Sequence, residues 1–381
     1  MKTIKPSTPR NGAANGNAPR ANGNGKHVTV ALTKTATTQT DAEGELTLKV
    51  NPALGKLKIQ LEEAHRQPAP QLVSPWLNPT QLDRPAFLMN FPFSYGTSHA
   101  NNAWMKDMKN GKRLPDYTRA AVQFLAVYQN IGAEGLVYLL PTPQGQDLQD
   151  LIYTANLGIV LDHLPDKNTV VISNYTSAPR RGETPVGVKF FQDMGYDVHV
   201  APAKFEGEAE LKHLYDNVYI GGYGIRSEKE TYDWMEEKFG MKVIKVREVE
   251  EYLYHLDCSI FPITKENTLI CTELYTKKEL AELGKYTNII PVTVDEAFSG
   301  ICNSVRLPNQ VLNSSHIHDL KAGTEDYKLE LQKNRKLEDI SANLALEVAY
   351  FNLSEFHKSG ALLSCMVMHL NRSCYKIALT A

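Results

Sequence analysis

Cys365 stands in Ser359-Gly-Ala-Leu-Leu-Ser-Cys-Met-Val-Met-His-Leu-Asn-Arg372, close to the end of a 381-residue chain. A glycine-containing approach precedes it and a strand-like Met366–Leu370 follows, a setting in which a thiol can be presented as a nucleophile. The competing reading is a small core residue, because free cysteine is among the most buried side chains. In Tyr254-His-Leu-Asp-Cys-Ser-Ile-Phe-Pro262, His255 and Asp257 are two apart, so on a strand they would share a face. Histidine can move protons near neutral pH, and an ionised aspartate can hold a cation; capping or surface roles are the alternative. Phe205-Glu-Gly-Glu-Ala-Glu-Leu211 carries acids at alternate positions, either a solvated turn or a means of aiming Glu206 into a cleft. Asn156 is a polar residue in the strand-like run Leu151–Gly158. Arg180 and Arg181 in Ala178–Glu183, and Arg226 in Gly221-Gly-Tyr-Gly-Ile-Arg-Ser227, offer planar two-pronged recognition of a carboxylate. The glycines before Arg226 do not fit a dinucleotide-binding fingerprint. Neither His255, His357 nor His369 has metal-ligand spacing, so no metal or other cofactor is expected.

These residues need a scaffold, and the chain supplies alternating periodicities. Tyr117–Ile131 has apolar residues at helical spacing (Ala121, Phe124, Leu125, Tyr128, Ile131). Helices are expected at Val186–Met194, Glu228–Phe239, Lys277–Leu283 and Leu337–Phe356. Short strands are expected at Phe87–Asn90, Gly135–Leu140, Thr169–Ser173, Asp197–Ala201, Asn217–Gly221, Lys242–Lys245, Cys258–Pro262, Thr268–Cys271 and Ile289–Val292. Strand pairs alternating with single helices predict a mixed α/β architecture of repeated units, although no repeat is visible as residue identity. Residues 1–40 carry no acid and 11–25 are almost entirely Asn, Gly, Ala, Pro and Arg. Such a stretch cannot bury enough apolar surface to order itself. The expected division is a disordered basic tail over 1–45, an extension or linker over 46–84 containing one short helix around Leu57–His65, and a catalytic domain over 85–381.

Composition excludes several classes of function. Lys+Arg 41 against Asp+Glu 43 gives a net charge of −2, without the basic excess that attracts nucleic acid. No apolar stretch approaches the ~18–20 residues of a membrane span. Five scattered cysteines form no zinc pair and no disulfide scaffold. A cytoplasmic protein acting on a small molecule is expected, and self-association into a homo-oligomer is left open.

Taken in order, the segments resemble the guanidino-group-modifying enzymes of the five-bladed pseudo-symmetric α/β-propeller (pentein) superfamily: arginine deiminases, arginine dihydrolases, dimethylarginine dimethylaminohydrolases and amidinotransferases. Phe87-Leu-Met with Asn101-Asn-Ala-Trp-Met105 is similar to the family's opening strand and its N-x-W-M loop. Tyr153–Gly158 resembles the first substrate-loop motif, Ala178–Glu183 the S-R-R-G-E motif, Phe205–Leu211 the F-E-G-x-G-D-x-L motif and Gly221–Ser227 the G-x-x-x-R-T motif. His255-Leu-Asp257 matches H-L-D, and Cys365 the late cysteine. The resemblance implies Cys365, His255 and Glu206 as catalytic residues. It implies Asn156, Asp257, Arg226, Arg180, Arg181 and Asn102 as substrate-binding residues, on a fold spanning about Phe87 to Arg372. Three positions depart from the pattern. Asn156 stands where deiminases carry Asp, as in the dihydrolases that take arginine to ornithine. Ala209-Glu210 replaces Gly-Asp, and Gly360-Ala-Leu-Leu-Ser364 replaces a glycine-rich run ending in His.

Overall fold

The computed structural model describes residues 36–40, 46–50, 78–107 and 114–376. The chain forms two compact units, Met1–Pro75 and Trp76–Ala381. In the first, β1 (Ala36–Thr40) pairs antiparallel with β2 (Leu46–Val50), Ala36 opposite Val50. β1 falls within the tail expected over 1–45 and β2 within the extension expected over 46–84. The helix expected around Leu57–His65 lies outside the described residues.

The second unit is built from one motif used five times. β3 (Ala86–Met89) runs through the short α1 (Ala103–Asp107) and α2 (Tyr117–Glu134) into the parallel β4 (Leu136–Leu139). The next three repeats each place a short antiparallel strand first, then a strand, a crossing helix and a parallel strand. They are β5 (Gly158–Val160), β6 (Thr169–Ile172), α3 (Glu183–Asp193) and β7 (Asp197–Val200); β8 (Leu211–Tyr215), β9 (Val218–Tyr223), α4 (Lys229–Phe239) and β10 (Lys242–Arg247); and β11 (Ile260–Pro262), β12 (Asn267–Cys271), α5 (Lys277–Leu283) and β13 (Asn288–Val292). After α6 (Val294–Phe298) come β14 (Val305–Arg306), β15 (Gln310–Ser314), α7 (Glu325–Asn343) and β16 (Glu347–Phe351). Finally α8 (Ser354–His357) leads to β17 (Met368–His369), which pairs antiparallel with β3 and completes the first blade from the far end of the chain. The five three-stranded sheets are the five-bladed α/β-propeller anticipated above. The short first strands gather toward the middle, β17 beside β5 and β8 beside β11. Among the described residues no helix is long and apolar enough to cross a membrane.

Apolar faces close each blade. α2 buries Ala120, Phe124, Val127 and Ile131, whereas the anticipated Leu125 is 40% exposed. The stripe is rotated because Gln123 is drawn inside, donating from Nε2 to Asn352 Oδ1 and Ser354 Oγ. The helix expected over Leu337–Phe356 is corrected to α7, which starts at the Thr324 N-cap and ends at Asn343. Ala345 then turns with φ +56°, and Glu347–Phe351 becomes a strand, because pairing with β15 satisfies a backbone that helical periodicity alone had assigned inward. β5, β8, β14 and β15, too short or too mixed to show a period, were not anticipated from the sequence.

One local feature recurs. A single 3-10 turn precedes the first strand in four blades: Thr154–Asn156 before β5, Gly207–Ala209 before β8, Leu256–Cys258 before β11 and Ser364–Met366 before β17. In the remaining blade the bend holding Asn303 enters β14. Equivalent positions of five blades therefore deliver their side chains to one end of the propeller.

Candidate active site

His255 and Asp257 are not on a strand. His255 precedes the turn and Asp257 lies within it, so the two side chains diverge. Asp257 meets the thiol: its Oδ2 lies 3.6 Å from Cys365 Sγ and accepts a hydrogen bond from Ser364 Oγ at 2.6 Å. His255 Nε2 lies 2.8 Å from Glu206 Oε2, and Nδ1 lies 3.4 Å from Asn156 Nδ2. With Glu206 accepting from Nε2–H, the free lone pair of the imidazole is on Nδ1, where the Asn156 amide donates. Gly207 allows this assembly. Its φ is +68°, and a Cβ there would stand 2.5 Å from Ala155 O and 2.8 Å from Asn156 O, so the Glu206 turn packs directly on the Asn156 turn.

Charge follows from burial and partners. Glu206 is fully buried; burial pushes its carboxyl up, but Arg226 and the His255 hydrogen bond outweigh this and hold it at about 2. Its other oxygen accepts from Thr176 N–H at 3.2 Å and lies 3.6 Å from Arg226 Nη1. Burial lowers the His255 pKa despite the opposing pull of Glu206. Burial, then the neighbouring Asp257, push the Cys365 thiol up to about 12, so without a cation beside it the sulfur is protonated.

Cys365, His255, Asn156, Asn102, Arg180 and Arg226 line one pocket, with Asn101, Asp150, Tyr153, Tyr254, Ser359 and Ala361. Its free volume is about 20 Å³, room for about one water. Glu206 and Asp257 stand directly behind His255 and Cys365. Arg226 donates to Asn101 O at 2.5 Å and covers the Tyr254 ring at 4.9 Å. Arg180 is clamped by Glu183 at 2.7 and 2.9 Å and lies 4.6 Å from the Tyr175 ring. Arg181 is not brought in; it is exposed and its guanidinium reaches only the carbonyls of Tyr175 and Thr176, because the Ala178–Arg180 turn aims consecutive side chains apart. Asn102 caps α1 through Met105 N–H and donates to Ser359 O at 2.8 Å and Tyr254 Oη at 3.1 Å.

Sequence reasoning missed Asn303, which donates to Cys365 Sγ at 3.5 Å and accepts from Ser364 N–H at 2.8 Å. It also missed Asp150, whose carboxylate is hydrogen-bonded by Asn101, and Tyr254. The available signal was position: Asn303 precedes β14 by two residues, as Asn156 precedes β5.

A family described as "N,N dimethylarginine dimethylhydrolase, eukaryotic" matches residues 89–372, about three quarters of the chain and every segment of the pocket. The chain belongs to this family. Within the guanidino-modifying superfamily, it is 25% identical over 291 residues to the bifunctional arginine dihydrolase/ornithine cyclodeaminase AgrE of a Nostoc species. That alignment covers 74% of this chain and 37% of the relative, so the chain spans little more than a third of that protein's length. Among solved structures, the N-terminal domain of the cyanobacterial arginine dihydrolase ArgZ bound to product superposes with a TM-score of 0.65 at 23% identity, covering 76% of this chain and 98% of that one. A dimethylarginine dimethylaminohydrolase adduct with S-methyl-L-thiocitrulline superposes with a TM-score of 0.55 at 20% identity, covering 75% and 99%. Both likenesses establish the fold of this family member.

Proposed function

We propose that this protein hydrolyses the guanidino group of arginine through a covalent thiouronium on Cys365, and carries arginine through to ornithine, carbon dioxide and two ammonia molecules. The observation that carries the reading is the meeting of Cys365, Asp257, His255, Glu206 and Asn156, drawn from four blades, at a single buried pocket.

A guanidinium carbon is a poor electrophile, so it must be held while a soft nucleophile attacks. Asp257 accepts charge-assisted hydrogen bonds from the bound head group beside the sulfur. The same cation draws the Cys365 thiol down from its raised pKa, so substrate generates its own nucleophile. His255 Nδ1 takes the thiol proton as the sulfur adds to the guanidinium carbon, and the C–N bond to one amino group breaks as Nδ1–H gives that proton to the departing ammonia. The neutral imidazole then takes a proton from water, which attacks the amidino carbon and releases Cys365 and citrulline. Glu206 keeps its charge throughout and fixes the imidazole. Arg226 grips the α-carboxylate, with Arg180 beside it.

Asn156 favours a second cycle. A carboxylate can only accept hydrogen bonds and prefers a cation, whereas a carboxamide both donates and accepts. It can therefore hold the neutral ureido group of citrulline as readily as a guanidinium. Attack on that group, loss of ammonia and hydrolysis leave a carbamate that decomposes to ornithine and carbon dioxide. The family match favours a second reading, hydrolysis of methylated arginine. Incubation of purified protein with arginine, methylarginines, agmatine and citrulline, read by mass spectrometry, separates them. Ornithine from arginine and from citrulline is expected, abolished by Cys365→Ala; citrulline alone would reject the second cycle, and turnover of methylarginines only would favour the alternative.

A further inference from the structure

Behind His255 lies a second group of acids that the mechanism above does not use. Glu210 enters β8 and Glu248 leaves β10, so the two approach from the outer strands of one sheet across its central strand, β9. They meet over Gly222: a Cβ there would stand 2.9 Å from Glu210 Oε2 and 2.9 Å from Glu248 Oε1, so the missing side chain makes the space they occupy. Glu210 is fully buried and Glu248 is 7% exposed, and among the described residues no donor group reaches any of their four carboxyl oxygens, which have only each other. Two adjacent unpaired carboxylates shut away from water would repel each other and forfeit their solvation, a cost that binding one proton removes. Glu210 Oε1 is 3.9 Å from His255 Nε2, on the atom that already bonds Glu206.

We propose that Glu210 and Glu248 share one proton and act as positioning residues that set the charge felt by the His255 imidazole. With the proton in place the pair carries one negative charge, and His255 stays neutral enough to accept a proton. When the proton is lost, a second negative charge arises behind Nε2 and holds the imidazole protonated.

The surroundings agree. From the same blade, Glu206 ahead of β8 adds negative charge and Arg226 beyond β9 offsets part of it; from the turn before β11, Asp257 adds more. Tyr232 of α4 and Tyr275 face the pair as neutral phenols, and Cys258 as a neutral thiol. Burial raises both carboxyls, Glu248 to about 8; the charges of Glu248, Glu206 and Asp257 push Glu210 further up, whereas for Glu248 the contact with Glu210 and the charge of Arg226 offset part of the rise that Asp257 and Glu206 add. The catalytic consequence rests on the proposed role of His255; the shared proton does not.

The test compares wild type with Glu248→Gln, which keeps the shape and removes the second charge. An acid whose pKa is raised by folding stabilises the fold below its unfolded value, near 4.5, and loses that contribution as pH rises toward its folded value. The melting temperature of Glu248→Gln relative to wild type should therefore climb between pH 5 and pH 8. Its ring signals, followed by NMR in histidine-labelled protein and assigned with His255→Gln, should show His255 moving a second time between pH 7 and 9 in wild type and not in Glu248→Gln. A melting-temperature difference independent of pH, or wild-type His255 signals with no alkaline step, would overturn the proposal. Neither readout involves turnover, so a failure to release ornithine would count against the dihydrolase reading alone.

Discussion

Cys365 is a buried thiol beside a carboxylate, the arrangement least suited to ionise by itself. Its reactivity therefore depends on a cation. At pH 7 a neutral alkylating agent such as iodoacetamide should react slowly with Cys365, at a rate rising about tenfold per pH unit up to at least pH 10. A chloroacetamidine, which carries its own positive charge to Asp257, should react at least about a hundredfold faster at pH 7. Peptide mass spectrometry of the modified protein distinguishes the two, and equal rates would show that the sulfur is already a thiolate. Asn156 makes the other prediction at this scale. Asn156→Asp places a carboxylate 3.4 Å from His255 Nδ1 and restores preference for cations. It should leave arginine consumption within about tenfold while raising the citrulline-to-ornithine ratio by on the order of tenfold, measured by product quantification over time. The types of these residues were legible in the sequence. The separate fates of His255 and Asp257 were not, because a strand and a 3-10 turn place residues two apart in different directions.

Short turns do the positioning. Cys365, Asp257, His255, Glu206, Asn156 and Asn303 each sit on or beside the turn that enters the first strand of a blade, and the turns pack on one another where the blades converge. Gly207 is the tightest of these contacts. Gly207→Ala forces a left-handed alanine and a 2.5 Å approach to Ala155 O. It should cost about 2–5 kcal/mol in urea denaturation and separate Glu206 from Asn156, so that turnover falls even in protein that remains folded at low temperature. Elements with a strong period, such as α2 and α4, were readable because one buried face repeats over several turns. The turns and the two- and three-residue strands were not, since so few residues contain no period, and α7 was displaced because Leu344–Phe351 is apolar enough to pass for helix.

The propeller is closed by its ends. β17 supplies the first blade with its inner strand, and Asn371 then fastens the exit of the chain to its entry, donating from Nδ2 to Arg84 O at 2.7 Å, Pro79 O at 3.0 Å and Leu82 O at 3.3 Å. Asn371→Ala leaves these carbonyls short of a donor in a buried setting. A loss of about 2–3 kcal/mol is expected, a melting temperature lower by about 5 °C in calorimetry. Because Cys365 lies six residues earlier, the same change should loosen the thiol's contact with Asp257 and reduce turnover; an unchanged melting temperature would show that closure does not depend on this clamp.

By itself the sequence determined which chemistry was on offer: a thiol, an imidazole, carboxylates, a carboxamide and arginines in the family's order, on alternating strand pairs and helices. Chemical type and order along the chain are local properties and survive without coordinates. Only the tertiary structure decided which groups touch, because contact depends on how five blades bring residues over two hundred positions apart to one end of a ring. It brought Asn303 to the sulfur and paired Glu210 with Glu248 across a glycine, and it turned Arg181 out to solvent.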